Sequence, residues 1–177
     1  MLQSFSSKDF KIMPWTNGGG TTTELFRIEN SLASSFLFRL SLANVNQDGP
    51  FSIFQGIDRV LLLIEGKGME LCSSENIIRV NNKLVPYSFN GEEDIKCRLI
   101  QGPCIDFNIM TDRKYAKSAI SVIHPEADNI TSFQADCDLK FIYDINEETL
   151  VKMMKNDLFE KHVKQECPLI VIDITKL

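Results

Sequence analysis

Histidine is scarce in this 177-residue chain: His124 and His162 are the only two. Neither belongs to an H-x-H or HExxH arrangement or to a Cys/His cluster, so the usual donor sets for a catalytic transition metal are missing. The sequence therefore predicts no metal site and no cofactor. The five cysteines (Cys72, Cys97, Cys104, Cys137 and Cys167) are odd in number and scattered, with no CxxC among them. They read as reduced, mostly buried thiols of a cytoplasmic protein rather than a disulfide framework. No apolar run approaches the roughly 18–20 residues of a membrane span, and residues 1–10 lack the basic segment and apolar core of a secretory signal. Clustered Lys and Arg are also absent, and the formal net charge is −5. Phosphate neutralisation needs such clusters, so neither nucleic acid nor a membrane is an expected partner. There is no G-x-S-x-G and no evident Cys–His pair, and Gly18-Gly19-Gly20 fits neither a P-loop nor G-x-G-x-x-G.

What is present is an ordered, strand-rich core. Hydrophobic residues make up 44% and charged residues 24% of the chain, the balance of a globular domain. Alternation dominates the first two thirds. In 36–43, Phe36, Phe38, Leu40 and Leu42 share one strand face, and Leu37, Arg39, Ser41 and Ala43 the other. Further strands are expected over 60–65, 69–72, 77–80, 86–89, 95–101, 104–110, 118–124, 139–143 and 169–174. They are punctuated by Gly66-Lys67-Gly68, Asn81-Asn82, Asn90-Gly91 and Gly102-Pro103. Many short strands with frequent turns predict an all-β sandwich or barrel. Residues 147–160 admit two readings. Asn146-Glu147-Glu148 can start a helix, with Leu150, Met154 and Leu158 at helical spacing. A weak internal echo of the strand cadence of 60–110 instead makes 155–157 a turn between strands, and that reading is favoured over a short C-terminal helix.

Several polar residues stand where strands ought to be apolar. Arg39 shares its face with Ser41; that face is either solvated or the polar interior of a barrel, where a guanidinium is a natural bidentate receptor for a carboxylate. In 48–59, Phe51 and Phe54 can plug a core, while Ser52 and Arg59 can sit at a barrel mouth, where ligands commonly bind. Asp106 and Asn108 share one face of their strand, opposite Phe107 and Ile109. The run Met13-Pro14-Trp15-Thr16-Asn17-Gly18-Gly19-Gly20-Thr21-Thr22-Thr23-Glu24 combines an aromatic, an amide, a carboxylate and three glycines that tolerate close approach, a composition suited to a recognition loop.

Taken in order, Pro14-Trp15-Thr16-Asn17-Gly18-Gly19-Gly20-Thr21-Thr22-Thr23-Glu24, Phe38-Arg39-Leu40-Ser41-Leu42-Ala43, Asp48-Gly49-Pro50-Phe51-Ser52 through Gly56-Ile57-Asp58-Arg59, Gly66-Lys67-Gly68-Met69 and Gly102-Pro103 with Asp106-Phe107-Asn108-Ile109-Met110 resemble the HutD/Ves family of bacterial proteins. The resemblance covers roughly residues 13–110. It implies a cupin-like double β-barrel (bicupin): residues 1–177 as one compact unit, with approximate halves 1–115 and 116–177 and strands shared between them. It also implies a cytoplasmic protein, a homodimer, and a regulator related to histidine utilisation or stress response. The family typically has Lys where Thr16 stands and Pro where Gln55 stands. The cupin label does not import a metal-dependent activity, because the histidines are missing.

Three functions fit these residues. The favoured one is a non-enzymatic binder or sensor of a small carboxylate such as urocanate or a formylated amino acid. Arg39 and Arg59 would take the carboxylate, and Asn17, Ser41, Ser52 and Asn108 would hydrogen-bond. Trp15 and Phe51 would form an aromatic wall, Gly18 and Gly19 would allow close approach, and Glu24 and Asp106 would orient the arginines from behind. The alternatives are a metal-independent enzyme acting on a small organic acid, with Glu24 or Asp106 as general acid or base, and a structural or interaction protein with no ligand.

Overall fold

A computed structural model describes residues 1–29 and 36–177. The described chain is built of strands, with one 3-10 turn at Ser7–Asp9. The first strands are β1 (Gln3–Phe5), β2 (Lys11–Pro14), β3 (Gly20–Glu29), β4 (Phe36–Val45), β5 (Gly49–Pro50) and β6 (Ile57–Glu65). Next come β7 (Met69–Cys72), β8 (Ile77–Val80), β9 (Tyr87–Asn90), β10 (Lys96–Leu99), β11 (Cys104–Asp112) and β12 (Ala116–Ile123). The last are β13 (Asn129–Gln134), β14 (Leu139–Asp144), β15 (Thr149–Met154), β16 (Leu158–Val163) and β17 (Leu169–Lys176). No helix among the described residues is long and apolar enough to cross a membrane.

The chain divides into two compact units, Lys11–Lys114 and Met1–Phe10 with Tyr115–Leu177. In the first, a six-stranded sheet of order β2-β3-β4-β11-β6-β9 accompanies a four-stranded sheet of order β5-β10-β7-β8. One apolar core joins the two sheets: Ala43, Val45, Leu61 and Leu63 from the larger meet Met69, Leu71, Val80 and Cys97 from the smaller. Leu61, Leu62 and Leu63 are fully buried, each contributing about 1.5–3 kcal/mol. The run Arg59 to Leu63 of β6 is buried without interruption, so both faces of this part of the larger sheet are covered. The sheets do not close into one hydrogen-bonded ring among the described residues; the fold is cupin-like with paired sheets. The second unit pairs a five-stranded sheet, β1-β15-β14-β17-β12, with the two-stranded antiparallel sheet β13-β16, around Phe133, Ile142, Val151, Met153, Leu169 and Val171. Residues 1–10 lie in this unit, because β1 adds to the free edge of β15.

Residues 147–160 are strand, turn and strand. Asn156 takes a left-handed backbone at φ 72°, the Asp157 carboxylate accepts from Met154 N at 3.0 Å, and β15 and β16 leave the turn in extended form. The helical stripe fails on burial, since Met154 and Leu158 are exposed while Leu150 and Met153 reach the core. Five strands lie outside the sequence expectation: β1, β2, β3, β5 and β13. β3 occupies the threonine run read as loop, and β13 buries only Phe133, so it carries almost no alternation signal.

Candidate functional site

Register builds the site. On the core-facing side of the six-stranded sheet, Arg39 of β4, Met110 of β11 and Arg59 of β6 stand in one cross-strand row. The next row holds Glu24, Ser41 and Asn108, and the one after it Thr22, Ala43 and Asp106. A bulge at Leu25 shifts β3 against β4; Glu24 stays opposite Ser41 and beside Arg39, as a bulge permits. On the opposite face Phe38, Leu40, Phe107 and Ile109 form a buried apolar patch. A cavity of about 280 Å³ lies over the polar rows.

Two loops complete its walls. In 15–19, Gly18 turns the chain at φ 71°, and its amide donates to Trp15 O at 3.0 Å. Gly19 N donates to Asn17 Oδ1 at 3.0 Å, an Asx turn. Trp15 Nε1 donates to Thr22 Oγ1 at 2.8 Å and fixes the indole plane. The 51–56 segment is tied down by Phe51 N to Ile95 O and Phe54 N to Gly91 O, both 2.8 Å, and by Gly56 N to Glu92 Oε1 at 2.7 Å. Arg113 clamps Glu92 and Asp58 at 2.6 and 2.7 Å.

The two arginines differ in their partners. Arg39 Nε donates to Glu24 Oε2 at 2.7 Å, and its Nη1 lies 4.0 Å from Met110 Sδ. Glu24 thereby orients Arg39 while the guanidinium lines the cavity. Arg59 is only 5% exposed. It lies over the rings of Phe89, Phe51 and Phe54 at 4.8, 5.1 and 5.6 Å, a cation–π enclosure. Its Nη2 donates to Asn108 Oδ1 at 2.9 Å and its Nη1 to Ser52 O at 3.4 Å. Burial pulls the Arg59 pKa down to about 10, against the Asp106 charge that raises it and with the Arg39 charge that lowers it. The group remains a cation at neutral pH.

Asp106 is wholly buried. Its Oδ1 accepts a short hydrogen bond from Asn108 Nδ2, and Oδ2 has no hydrogen-bond partner. Burial pushes its pKa from 3.8 up to about 7, opposed by the Arg59 charge. The folded state therefore holds this proton more tightly than the unfolded chain does. The stabilisation Asp106 contributes is complete below about pH 4 and is lost as pH rises through about 7. Urea midpoints at pH 5 and pH 8 check this: the native protein should lose more stability across that interval than Asp106→Asn, and equal losses would contradict it.

Of the residues expected to bind a ligand, Trp15, Asn17, Arg39, Ser41, Phe51, Ser52, Arg59 and Asn108 line the cavity. Gly18 and Gly19 do not; they shape the turn that presents Trp15 and Asn17. Glu24 stands behind Arg39 as expected. Asp106 differs, since it lines the cavity floor and hydrogen-bonds Asn108 rather than an arginine. Sequence reasoning missed Thr22, Ala43, Val45, Pro50, Phe54 and Met110 as lining residues. Alternation from Ser41 and Asn108 reaches Ala43 and Met110, whereas Thr22 needed the unforeseen β3. Thr16 also lines the cavity.

Elsewhere the charged clusters are internally compensated. Asp136, Cys137 and Asp173 converge in the second unit, but Lys140 Nζ sits 2.7 Å from Asp173 and 3.6 Å from Asp136 and supplies the counter-charge. Asp144, nearly buried, is held by Lys161 at 2.8 Å and by the amides of Asn146 and Glu147 at 2.9 Å. His124 and His162 are exposed.

Several known proteins are similar to this chain. A family model described as HutD matches residues 7–170. A 21.2 kDa protein from the hutC 3′ region of Pseudomonas putida is 35% identical over 109 residues, covering 62% of this chain and 57% of that protein. Protein Ves of Escherichia fergusonii is 30% identical over 122 residues, covering 68% and 63% respectively. The match thus spans less than two thirds of either relative's length. Among solved structures, HutD from Pseudomonas fluorescens SBW25, in a formate condition, superposes with a TM-score of 0.82 at 27% identity over 100% of both chains. The bacterial pirin YhhW from Escherichia coli, in complex with nickel(II), superposes at 0.70 with 9% identity over 98% of both chains, a likeness of fold alone.

Proposed function

This chain belongs to the HutD family, and from that premise we propose that it is a non-enzymatic binding protein or sensor for a small carboxylate. The observation that carries the reading is the row Arg39–Met110–Arg59, which puts two guanidinium groups on the floor of one cavity. Guanidinium forks suit a carboxylate. Asn17, Ser41 and Asn108 offer hydrogen bonds beside them, and Trp15 with Phe51 gives a flat apolar wall. At about 280 Å³ the space lies near the lower end of small-molecule sites, about 300–1,000 Å³, and fits a ligand the size of urocanate or a formylated amino acid. The hutC-region relative supports acids of histidine breakdown as the class to try first. The cytoplasm is the compartment this reading requires.

A second reading draws on Asp106, whose pKa near neutrality suits a general acid or base of a metal-independent enzyme. Its lack of any exposure and its engagement with Asn108 favour a fixed rather than a reacting carboxyl. Neither reading requires a resident cofactor. The homodimer implied by the resemblance stays part of the proposal, with the cavity formed inside one protomer.

A thermal-shift screen against urocanate, N-formylglutamate, formiminoglutamate and formate tests the reading. A ligand at a hundredfold excess over its Kd stabilises the native state by about 2.7 kcal/mol. The expected result is a saturable rise in Tm, lost in Arg39→Ala. No rise with any acid at millimolar concentration would turn attention to the interaction-protein reading, and slow consumption of the acid would turn it to the enzyme.

A further inference from the structure

We propose that a carboxylate entering this cavity is bound together with one proton, and that Asp106 holds the proton. The inference rests on the carboxylate reading above and specifies how the same site is regulated.

The geometry is that of a carboxyl set behind a receptor. Asp106 lies on the cavity floor with no exposure of its own. Asn108 Nδ2 occupies Oδ1, and Oδ2 has no partner. Neither Arg39 nor Arg59 hydrogen-bonds it; Arg59 Nη2 turns to Asn108 Oδ1, and Arg59 Nε has no partner either. The Asn108 amide therefore stands between the carboxyl and the guanidinium, its N–H toward one and its C=O toward the other. Asp106 feels the Arg59 charge without being locked to it.

The charge inventory gives the coupling its direction. β4 contributes Arg39, β6 Arg59, and β3 Glu24, which is bound to Arg39. Arg27, also within 3.9 Å of Glu24, is paired with Glu29 further out. On β11 itself stands Cys104, and on β10 Cys97, both pushed by burial to about 12 and so neutral. Asp48 lies beyond Cys97, where its carboxylate accepts from Leu99 N. With Asp106 ionised, Arg39, Arg59, Glu24 and Asp106 sum to zero. With Asp106 protonated, the site carries one positive charge, the complement of a monocarboxylate. The step is a simple addition: a solvent proton joins the Asp106 carboxylate to give the neutral acid, and no other bond forms or breaks.

An arriving anion opposes a second anion nearby and draws on the Arg59 charge, so it raises the Asp106 proton affinity further. The free group already titrates near pH 7. By linkage, affinity for a carboxylate should then fall by up to tenfold per pH unit above about 7, until the pKa of the bound state is passed.

The test is calorimetry with formate and N-formylglycine, neither of which titrates between pH 6 and 9. Titrations of the native protein at pH 7.5 in HEPES and in Tris read the proton directly. The expected result is an enthalpy that shifts with the buffer's ionisation enthalpy, corresponding to uptake of up to one proton, with a Kd that rises from pH 7 to pH 9. Asp106→Asn, a neutral isostere, should bind with a buffer-independent enthalpy and a flat pH profile. Binding by the native protein with no buffer dependence and no pH dependence overturns the proton coupling and leaves the carboxylate reading standing. Proton uptake that persists in Asp106→Asn overturns the assignment to Asp106. Absence of binding by either probe and by every acid of the screen overturns both.

Discussion

Replacing Arg59 by methionine should weaken carboxylate binding by roughly 150-fold or more while leaving a folded protein. Methionine retains most of the apolar bulk that Phe51, Phe54 and Phe89 enclose and is free of the desolvation cost that a buried guanidinium carries. It forfeits the cation–π contacts, about 0.5–2 kcal/mol, and the bonds to Asn108 and Ser52. Asp106 loses its neighbouring cation, but its carboxyl responds by staying protonated to higher pH, which limits the damage. Net destabilisation of about 1–2 kcal/mol is the expected sum. Binding suffers more, because a charge-assisted hydrogen bond contributes about 1.5–3 kcal/mol and two can be lost at a bidentate contact. An affinity loss of roughly 150-fold or greater corresponds to about 3 kcal/mol. Calorimetry with N-formylglycine, next to a urea melt of the same variant, separates the two effects. Unchanged affinity in a folded Arg59→Met protein would remove Arg59 from the site.

The largest loss of stability is expected from a single methyl group. In Gly20→Ala, the new Cβ would lie 2.2 Å from the backbone oxygen of Asn44 and 3.0 Å from the Trp15 ring. The first neighbour is main chain of the adjacent strand, where Gly20 pairs with Val45 at the start of the β3–β4 ladder. Relief requires that ladder to open or the indole to leave Thr22, and overpacking of this kind costs about 3 kcal/mol. Gly18→Ala provides the contrast. Nothing lies within 4 Å of its Cβ, and only the left-handed backbone is penalised, by about 1–2 kcal/mol. Trp15 is the single tryptophan, so its emission during denaturation reports on this wall alone. A red-shifted native spectrum and an early midpoint for Gly20→Ala, with a near-normal spectrum for Gly18→Ala, is the expected pair of results. Equal behaviour of the two variants would show that Gly20 does not seat the indole.

Much of this site was legible because its polar residues interrupt apolar strands at even spacing. Arg39 with Ser41, and Asp106 with Asn108, share a face by alternation alone, whereas which face lies inward is decided by the sheet packing, and Arg59 was singled out from its place beside the 51–56 plug. Pairing between strands was not legible. The Leu25 bulge and the β3 register decide that Glu24 reaches Arg39 and that Thr22 holds Trp15, and neither has a local signal. Residues 147–160 were ambiguous for a physical reason: apolar residues four apart share a face in a helix and, four being even, share a face in a strand as well. The turn at Asn156 and Asp157 settled the matter. Gly18 and Gly19 were recognisable as turn formers, but whether a turn points its backbone or its neighbours into a cavity depends on the flanking sheet. Asp106 was expected to orient an arginine, whereas it hydrogen-bonds Asn108, which in turn accepts from Arg59; sequence alone gives no sign that an amide stands between carboxyl and guanidinium.

The most direct measurement is a calorimetric titration of N-formylglycine and of its amide, N-formylglycinamide, into the native protein at pH 6.5. The two differ only in the carboxylate that we propose Arg39 and Arg59 receive. Saturable one-to-one binding of the acid, with the amide at least a hundredfold weaker and the preference erased in Arg39→Gln, is the predicted result. Equal affinity for acid and amide, or an acid preference that survives the loss of Arg39, would contradict it.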